Sequence, residues 1–456
     1  MGLLSFKQYQ GQIFGMDTIT MNNADYTNQE ELFFEGDQLA LKTTILVGTY
    51  QGSKEKQNCQ DHLDELEDLA QTYGLTVLEK IACHIRKYDA STYIGKGKVQ
   101  ETVEMAKENG ADCILFDEEI LPSQQRNLEK NFQLPVLDRT ELILGIFAQR
   151  AQTKEAKLQV ELAQTRYKLP RLKRFWTHLS RQRGGGSHLK GEGEKQIEID
   201  KRLLKQRVDR ISSELKEVRL HRETQRSLRV RTGIPTFAII GYTNAGKSTL
   251  LNTLTEAGVF VEDKLFATLD TTTKRFTLPN QQEILLIDTV GFIRKIPHTL
   301  VAAFKSTLEE ALYADILLHL VDVNHPLALE HAEATYDVFK ELKVENSPPI
   351  ITVLNKIDAL DNPHSTVSKF RVRYPKTIAI SAKEGTGLDT LALTMEKELA
   401  ALRQTMLLRV PQREYHLVSE IQRDGLIHHQ EYEENDVLLK ADIPIRLVSR
   451  LKKYER

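Results

Sequence analysis

The chain has only three cysteines in 456 residues, Cys59, Cys83 and Cys113, and none forms a Cys-x-x-Cys pair. That scarcity excludes a disulfide framework and a cysteine-based zinc site, leaving small apolar residues suited to a reducing compartment. No stretch approaches the roughly 18 consecutive apolar residues of a membrane-spanning helix. The N-terminus has no basic region followed by an apolar run, so no secretory leader is expected. Met1-Gly2 lacks the Ser or Thr of a myristoylation signal, because Phe6 stands in that position. Together these absences point to a cytoplasmic chain.

Net charge is also small, at −2, and by itself says nothing about partners. Its distribution is more informative. Residues 151–232 carry 22 Lys and Arg against 10 Asp and Glu, a net of +12, so the remainder carries −14. A segment that basic inside an acidic chain calls for a polyanionic partner or a solvated helical surface.

A chain of 456 residues with 40% hydrophobic content is too long for one core, and roughly three domains are expected. Residues 1–40 have few periodic apolar positions and many Asn, Gln and Thr, and are expected to be a weakly ordered extension. In residues 41–140, strand-like runs (43–48, 76–78, 113–116) alternate with helical ones (62–73, 99–109). That rhythm predicts a small α/β domain with a parallel sheet. Gly95-Lys96-Gly97-Lys98 reads as a glycine turn before a helix at Val99, with a phosphate contact as the weaker alternative.

Residues 141–232 form the basic segment. Leu158, Leu162, Thr165, Leu169 and Leu172 recur at spacings of four and three, as do Leu204, Val208, Ile211, Leu215 and Val218. Two such stripes predict an antiparallel helical hairpin, kinked near Pro170, whose seams bury each other. The five-glycine stretch 183–193 between them is expected to be a loop. Phe175, Trp176 and His188 beside it are candidates to stack on unpaired bases. Residues 233–400 then show near-continuous apolar strands at 237–240, 284–287, 316–321, 350–354 and 377–380, the mark of a mostly parallel sheet covered by helices on both faces. Residues 401–456 read as a small α/β domain. His428-His429 there read as surface residues rather than metal ligands.

The chemistry lies in the 233–400 region. Gly241-Tyr242-Thr243-Asn244-Ala245-Gly246-Lys247-Ser248 matches GxxxxGK[ST], between an apolar strand and a helix beginning at Thr249. Its glycines let the backbone wrap phosphates, and its amides and the helix N-terminus supply positive potential. Lys247 is placed for the outer phosphates and the Ser248 hydroxyl for Mg²⁺. Asp288-Thr289-Val290-Gly291 follows a strand, where a carboxylate can hold Mg²⁺ through water and Gly291 can bring its N–H to the γ-phosphate.

Asn355-Lys356-Ile357-Asp358 selects the base. A carboxylate at Asp358 accepts from guanine N1 and N2, donors that adenine lacks. Ser381-Ala382-Lys383 offers a backbone N–H to guanine O6. These motifs in this order predict a protein that binds GTP and GDP and hydrolyses GTP. Between the first two lie four competing threonines, Thr268, Thr271, Thr272 and Thr273, one of which must complete the Mg²⁺ shell. Phe292 stands where a water-orienting glutamine would serve, so slow intrinsic hydrolysis stimulated by a partner is expected. Asn244 is a candidate to help hold K⁺ near the phosphates, with loop stabilisation as the alternative.

Almost everything after about residue 40 resembles the HflX GTPases. The likeness runs through Tyr93-Ile94-Gly95-Lys96-Gly97-Lys98, Gln124-Gln125-Arg126-Asn127-Leu128-Glu129 and Asp138-Arg139-Thr140. It continues through Ile146-Phe147-Ala148-Gln149-Arg150-Ala151 into Lys157-Leu158-Gln159-Val160-Glu161-Leu162-Ala163-Gln164. Phe266-Ala267-Thr268-Leu269-Asp270 is similar to that family's switch I, which implies a nucleotide-binding segment with Thr268 as the Mg²⁺ ligand. The hairpin loop departs from the family's GxRGPGETQLE-like run, with Glu192 in place of proline and Lys195 in place of threonine. The resemblance implies a partly ribosome-associated protein that binds the large subunit and its rRNA, and the chain is expected to be monomeric. Splitting or rescue of stalled ribosomes, or subunit biogenesis, is the role it implies. A GTP-controlled protein–protein switch with an ordinary coiled coil is the alternative. A GTP-dependent partner in RNA modification finds no second catalytic cluster.

Overall fold

The computed structural model describes residues 41–52, 55–172, 190–232, 234–255, 265–266, 268–295, 313–341 and 348–456. The expected extension at residues 1–40 lies outside them, as do Phe175, Trp176 and His188.

The N-terminal unit alternates strand and helix: β1 (Thr43–Tyr50), α1 (Glu55–Tyr73), β2 (Thr76–His84), α2 (Lys96–Asn109), β3 (Cys113–Phe116), α3 (Pro122–Phe132) and β4 (Val136–Asp138). The strands pair in parallel in the order β2-β1-β3-β4. The expected turn at residues 95–98 is corrected. Gly95 is only the N-cap, and its carbonyl already accepts from Lys98 N and Val99 N at 2.9 and 3.0 Å, so the helix starts at Lys96. The Lys98 ammonium is held by Glu101 one turn on. All three cysteines are free and buried.

Asp138 ends β4 and caps α4 (Arg139–Arg150), its carboxylate accepting from Glu141 N at 2.8 Å. Thr153 caps α5 (Lys154–Lys168) in the same way. The chain then tightens into a 3₁₀ turn over Leu169–Arg171, where Pro170 cannot donate to a longer helix. Opposite lies α6 (Lys190–Thr232), so Lys190, Gly191, Glu192 and Gly193 are helical backbone and not the loop expected of them. Leu158 and Leu162 meet Ile211 and Leu215 in a buried seam, with Val208 packed against it. The arrangement is not a free two-helix coil, however. Ala156, Val160, Ala163 and Tyr167 on other faces of α5 join the core of the N-terminal unit, alongside Phe147 and Ile143 of α4.

The third unit carries β5 (Thr236–Gly241), α7 (Lys247–Thr255), β6 (Thr272–Thr277), β7 (Glu283–Asp288), β8 (Ile316–Asp322), α8 (Ala328–Glu341), β9 (Ile350–Asn355), α9 (Pro363–Arg373), β10 (Thr377–Ala379) and α10 (Leu388–Ala401). Its sheet order is β10-β9-β8-β5-β7-β6, parallel except for the edge strand β6. That edge strand has an alternating, half-exposed pattern, unlike the buried strands beside it. Side-chain alternation splits β5 between two cores. Phe237 and Ile239 face one, with Leu286, Leu318 and Met395. Ala238 and Ile240 face the other, which they share with Leu46, Leu66 and Phe147 of the N-terminal unit. The two units thus have an apolar core in common.

Strands β11 (Arg403–Pro411), β12 (Leu426–Glu433) and β13 (Asp436–Pro444) close the chain as an antiparallel sheet in the order β11-β13-β12, with helices α11 (Tyr415–Asp424) and α12 (Ile445–Leu451). No helix among the described residues is long and apolar enough to cross a membrane.

Candidate nucleotide site

The parallel strands β5, β7, β8 and β9 end their hydrogen-bonded runs on the same side of the sheet, and the motif residues cluster there. The phosphate loop leaves β5 at Gly241, whose φ of +149° and whose Cα, so close to Leu320 that a Cβ would lie 2.2 Å from that carbonyl oxygen, admit only glycine. Asn244 and Gly246 also have positive φ, +59° and +91°. The loop opens α7 at Lys247. The Lys247 ammonium is buried and donates to Tyr242 O at 2.9 Å. Burial lowers its pKa to about 8, against the attraction of Asp288.

Three oxygens converge at the start of α7. Ser248 Oγ lies 2.6 Å from both Thr268 Oγ1 and Asp288 Oδ2, and Thr268 Oγ1 lies 3.2 Å from Asp288 Oδ2. Burial raises the Asp288 pKa, with Lys247 opposing. Its other oxygen, Oδ1, is buried without a partner among the described residues. Two hydroxyls and a carboxylate with a spare buried oxygen suit a hard cation that takes oxygen ligands, and so fit Mg²⁺. Thr272 and Thr273 lie in β6, paired across to Asp288 and Ile287, and Thr271 directly precedes that strand. Thr268 is the threonine that the fold brings to Ser248.

Asn355 ends β9 and ties two loops together. Its Nδ2 donates to Ala245 O at 2.8 Å and its Oδ1 accepts from Ala382 N at 2.9 Å. The phosphate loop and the Ser381-Ala382-Lys383 segment are therefore held at one spacing. Lys356, at φ +64°, pairs with Asp322 at 2.7 Å. Asp358 is exposed just beyond it, Ile357 lies partly against an apolar cluster, and Ser381 is fully buried while Lys383 is exposed.

Several motif side chains do not point at this site. Phe266 and Leu269 are buried in the shared core, with the Phe266 ring edge-on to Phe147 at 4.5 Å. Asp270 faces the start of α5. Val290 is buried in the same core, and Thr289 donates to Ile239 O at 2.7 Å. Phe292 is 2% exposed, its ring in the shared core, while its carbonyl accepts from Thr243 N at 2.7 Å. Ala267 lies outside the described residues.

Sequence reasoning missed the ionic cluster behind the phosphate loop. Tyr242 stacks on His331 with ring centroids 3.7 Å apart, and its hydroxyl donates to Glu65 of α1 while accepting from Arg294 N at 2.7 Å. Glu65 also takes Arg139 at 2.7 Å and Arg294 at 3.3 Å, and Asp117 takes Arg139 and Lys295, each at 2.8 Å. Burial pushes both carboxyls up, but Arg139 and the flanking cations outweigh it and hold them below the usual range. Glu65 sits in a helix rich in acidic residues, so nothing in its local sequence separates it from its solvated neighbours.

A parallel sheet with a phosphate loop, a cation-ready triad and an Asn-Lys-x-Asp segment at one edge defines a P-loop GTPase. Residues 236–356 match the family described as "50S ribosome-binding GTPase", residues 60–148 that described as "GTP-binding GTPase N-terminal", and residues 150–229 its "Middle Region". The GTPase HflX of Chlamydia pneumoniae is 50% identical over 415 residues, covering 90% of this chain and 87% of that one. That of Lacrimispora saccharolytica is 44% identical over 407 residues, covering 89% and 95%. A GTP-binding protein from the hyperthermophilic archaeon Sulfolobus solfataricus, solved in complex with GDP, aligns at 26% identity and a TM-score of 0.42, over 79% of this chain and 100% of that one. The chain belongs to the HflX family of GTPases.

Proposed function

We propose that this chain binds and hydrolyses GTP at the 241–383 site, slowly by itself and faster when docked on the large ribosomal subunit. The observation that carries the chemical half is the meeting of Ser248, Thr268 and Asp288 within 2.6–3.2 Å beside the phosphate loop. Ser248, Thr268 and Asp288 would hold Mg²⁺, which when bound would offset charge on the outer phosphates. Lys247 leaves the Tyr242 carbonyl for the same oxygens, and Gly291 N–H meets the γ-phosphate. The backbone of residues 241–248 cradles the phosphate chain. Asp358 accepts from guanine N1 and N2, Lys356 covers the ring, and the 381–383 segment meets O6. A potassium ion beside Asn244 is the second cation of this reading, and equal turnover in K⁺ and Na⁺ would remove it.

Slow intrinsic hydrolysis follows from Phe292. Its apolar side chain is buried in the core shared with α4, so it has neither the chemistry nor the position to orient a water.

The partner reading draws on the hairpin. Lys201, Arg202, Lys205, Arg210 and Lys216 of α6 are exposed cations of the kind that meet phosphate backbones. The description of the matched GTPase family points to the large subunit as the source of those phosphates. Splitting or rescue of stalled ribosomes, or subunit maturation, is the work proposed for a chain so equipped. The deciding measurement is GTP turnover by the full chain with and without purified large subunits, paired with sedimentation across a salt series. Stimulated turnover and salt-sensitive, nucleotide-dependent binding are expected. Unchanged turnover would overturn the partner half, and a chain that binds no guanine nucleotide would overturn the whole.

A further inference from the structure

Switch I residue Asp270 lies two positions beyond Thr268, yet its carboxylate belongs to another unit. Oδ2 accepts the backbone N–H groups of Gln152 and Thr153, each at 3.1 Å, and Oδ1 accepts the Thr153 hydroxyl at 2.5 Å. Thr153 is the N-cap of α5, its own oxygen accepting from Ala156 N at 3.1 Å. Asp270 therefore places a negative charge at the N-terminus of that helix, where the backbone dipoles attract it, and fixes the hydroxyl that caps it.

Helix α5 is the inner arm of the hairpin. It holds α6 through Leu158 and Leu162 against Ile211 and Leu215, and through Glu161–Arg207 and Glu155–Arg222 pairs at 2.6 Å. On the other side of Thr268, Leu265 and Phe266 are buried with Phe147 and Ala156. The segment bearing Thr268 is thus fastened on both sides to the N-terminal unit, while the Thr268 hydroxyl meets the nucleotide side at Ser248.

We infer that Asp270 is the positioning residue that couples the nucleotide state to the hairpin, by holding Thr268 toward Ser248 only while it caps α5. The inference rests on Thr268 acting as a Mg²⁺ ligand in the GTP state. Two residues of extended chain span at most about 7 Å. On so short a tether a large displacement of Thr268 from Ser248 strains the Asp270 contact, and a hairpin displaced by a partner strains Thr268 in turn. Coupling of this kind is reciprocal: whatever a partner bound to the hairpin gains from GTP, GTP gains from that partner.

The test is hydrogen exchange of amides 154–157 in the full chain, with Mg²⁺ and a non-hydrolysable GTP analogue or with GDP, and nucleotide binding followed in parallel by a fluorescent analogue. In the wild type, exchange is expected to be slower in the GTP-analogue state by about fivefold or more, the lower end of ordinary coupling. Asp270→Ala and Thr153→Val should bind nucleotide and lose the difference, while Thr153→Ser, which keeps the hydroxyl, should retain it. Thermal melting of each variant identifies any that has merely unfolded. An undiminished difference in Asp270→Ala, or none in a wild type that binds both nucleotides, would overturn the inference while leaving the nucleotide site intact. A chain that binds neither nucleotide would overturn both.

Discussion

The Tyr242 hydroxyl in the phosphate loop donates to Glu65, a residue of the N-terminal unit 177 positions earlier. Through that bond and the Arg139, Arg294 and Asp117 contacts around it, the loop and the segment after Gly291 share one buried ionic cluster with helix α1. Arg139 is 2% exposed and would be left with one carboxylate partner in Glu65→Ala. That change should cost about 3 kcal/mol, as expected on removing one member of a buried ion pair. Glu65→Gln, which can still accept from Tyr242, should cost less. Chemical denaturation followed by the midpoint reads both.

Base selection is tested at Asp358. In Asp358→Asn the amide presents a donor where guanine N1 and N2 also present donors, and GTP affinity should fall by on the order of a hundredfold or more. Xanthine, with a carbonyl at position 2, should be accepted better than by the wild type. Competition of XTP and GTP against a fluorescent guanine nucleotide measures the ratio, and an unchanged preference for GTP would remove Asp358 from its proposed role.

The cation triad separates two states. Ser248→Ala should weaken Mg²⁺-dependent binding of GTP and GDP alike. Thr268→Ala should leave GDP binding near wild type and reduce turnover of GTP at least tenfold, because that hydroxyl is proposed to serve only the GTP state. Binding and single-turnover hydrolysis across a Mg²⁺ series distinguish the two patterns.

Gly246 tests the spacing set by Asn355. Its φ is +91°, and a Cβ there would lie 2.3 Å from Asn355 Nδ2, the atom that donates to Ala245 O. Gly246→Ala should therefore cost on the order of 1–3 kcal/mol in strain and lower nucleotide affinity. Thermal melting with and without GDP reads both effects.

His319 of β8 is 1% exposed, edge-on to Tyr336, with both ring nitrogens unpartnered among the described residues. Burial lowers its pKa to about 3, below the 6.5 of an exposed histidine. The neutral ring is therefore favoured in the folded state, and the unfolded chain binds one more proton between those values. Stability contributed this way is present above pH 6.5 and is lost as pH falls toward 3. His319→Phe should flatten the fall in stability between pH 6.5 and 4.5 by up to one proton's worth of slope. Denaturant midpoints across that range check it.

Much of the molecule is legible in the chain itself. The buried strands read as apolar runs because both faces of a parallel sheet are covered, and the hairpin seam read as a spacing of three and four because that is the pitch of a helix. The phosphate loop, Asp288 and Asn355 to Asp358 were legible because each needs a fixed residue type at a strand end, and local spacing records that. Strand β6 was not, since half its side chains face solvent and it carries no apolar run.

What only the tertiary structure decided is how distant residues meet. Spacing left four threonines open, the family resemblance implied Thr268, and the structure supplies the physical reason. The pairing of Thr272 with Asp288 and Thr273 with Ile287 places those two in the β6 ladder, and the burial of Phe266 and Leu269 against α4 presents Thr268 to Ser248. Glu65, Asp117 and Arg139 look like ordinary surface charges in the sequence. They become one buried cluster with Tyr242 and Arg294 because the face of the sheet carrying Ala238 and Ile240 packs into the core of the N-terminal unit. A linear pattern reports what a residue does to its own helix or strand. Which unit a charge is pressed against depends on the packing of surfaces hundreds of residues apart.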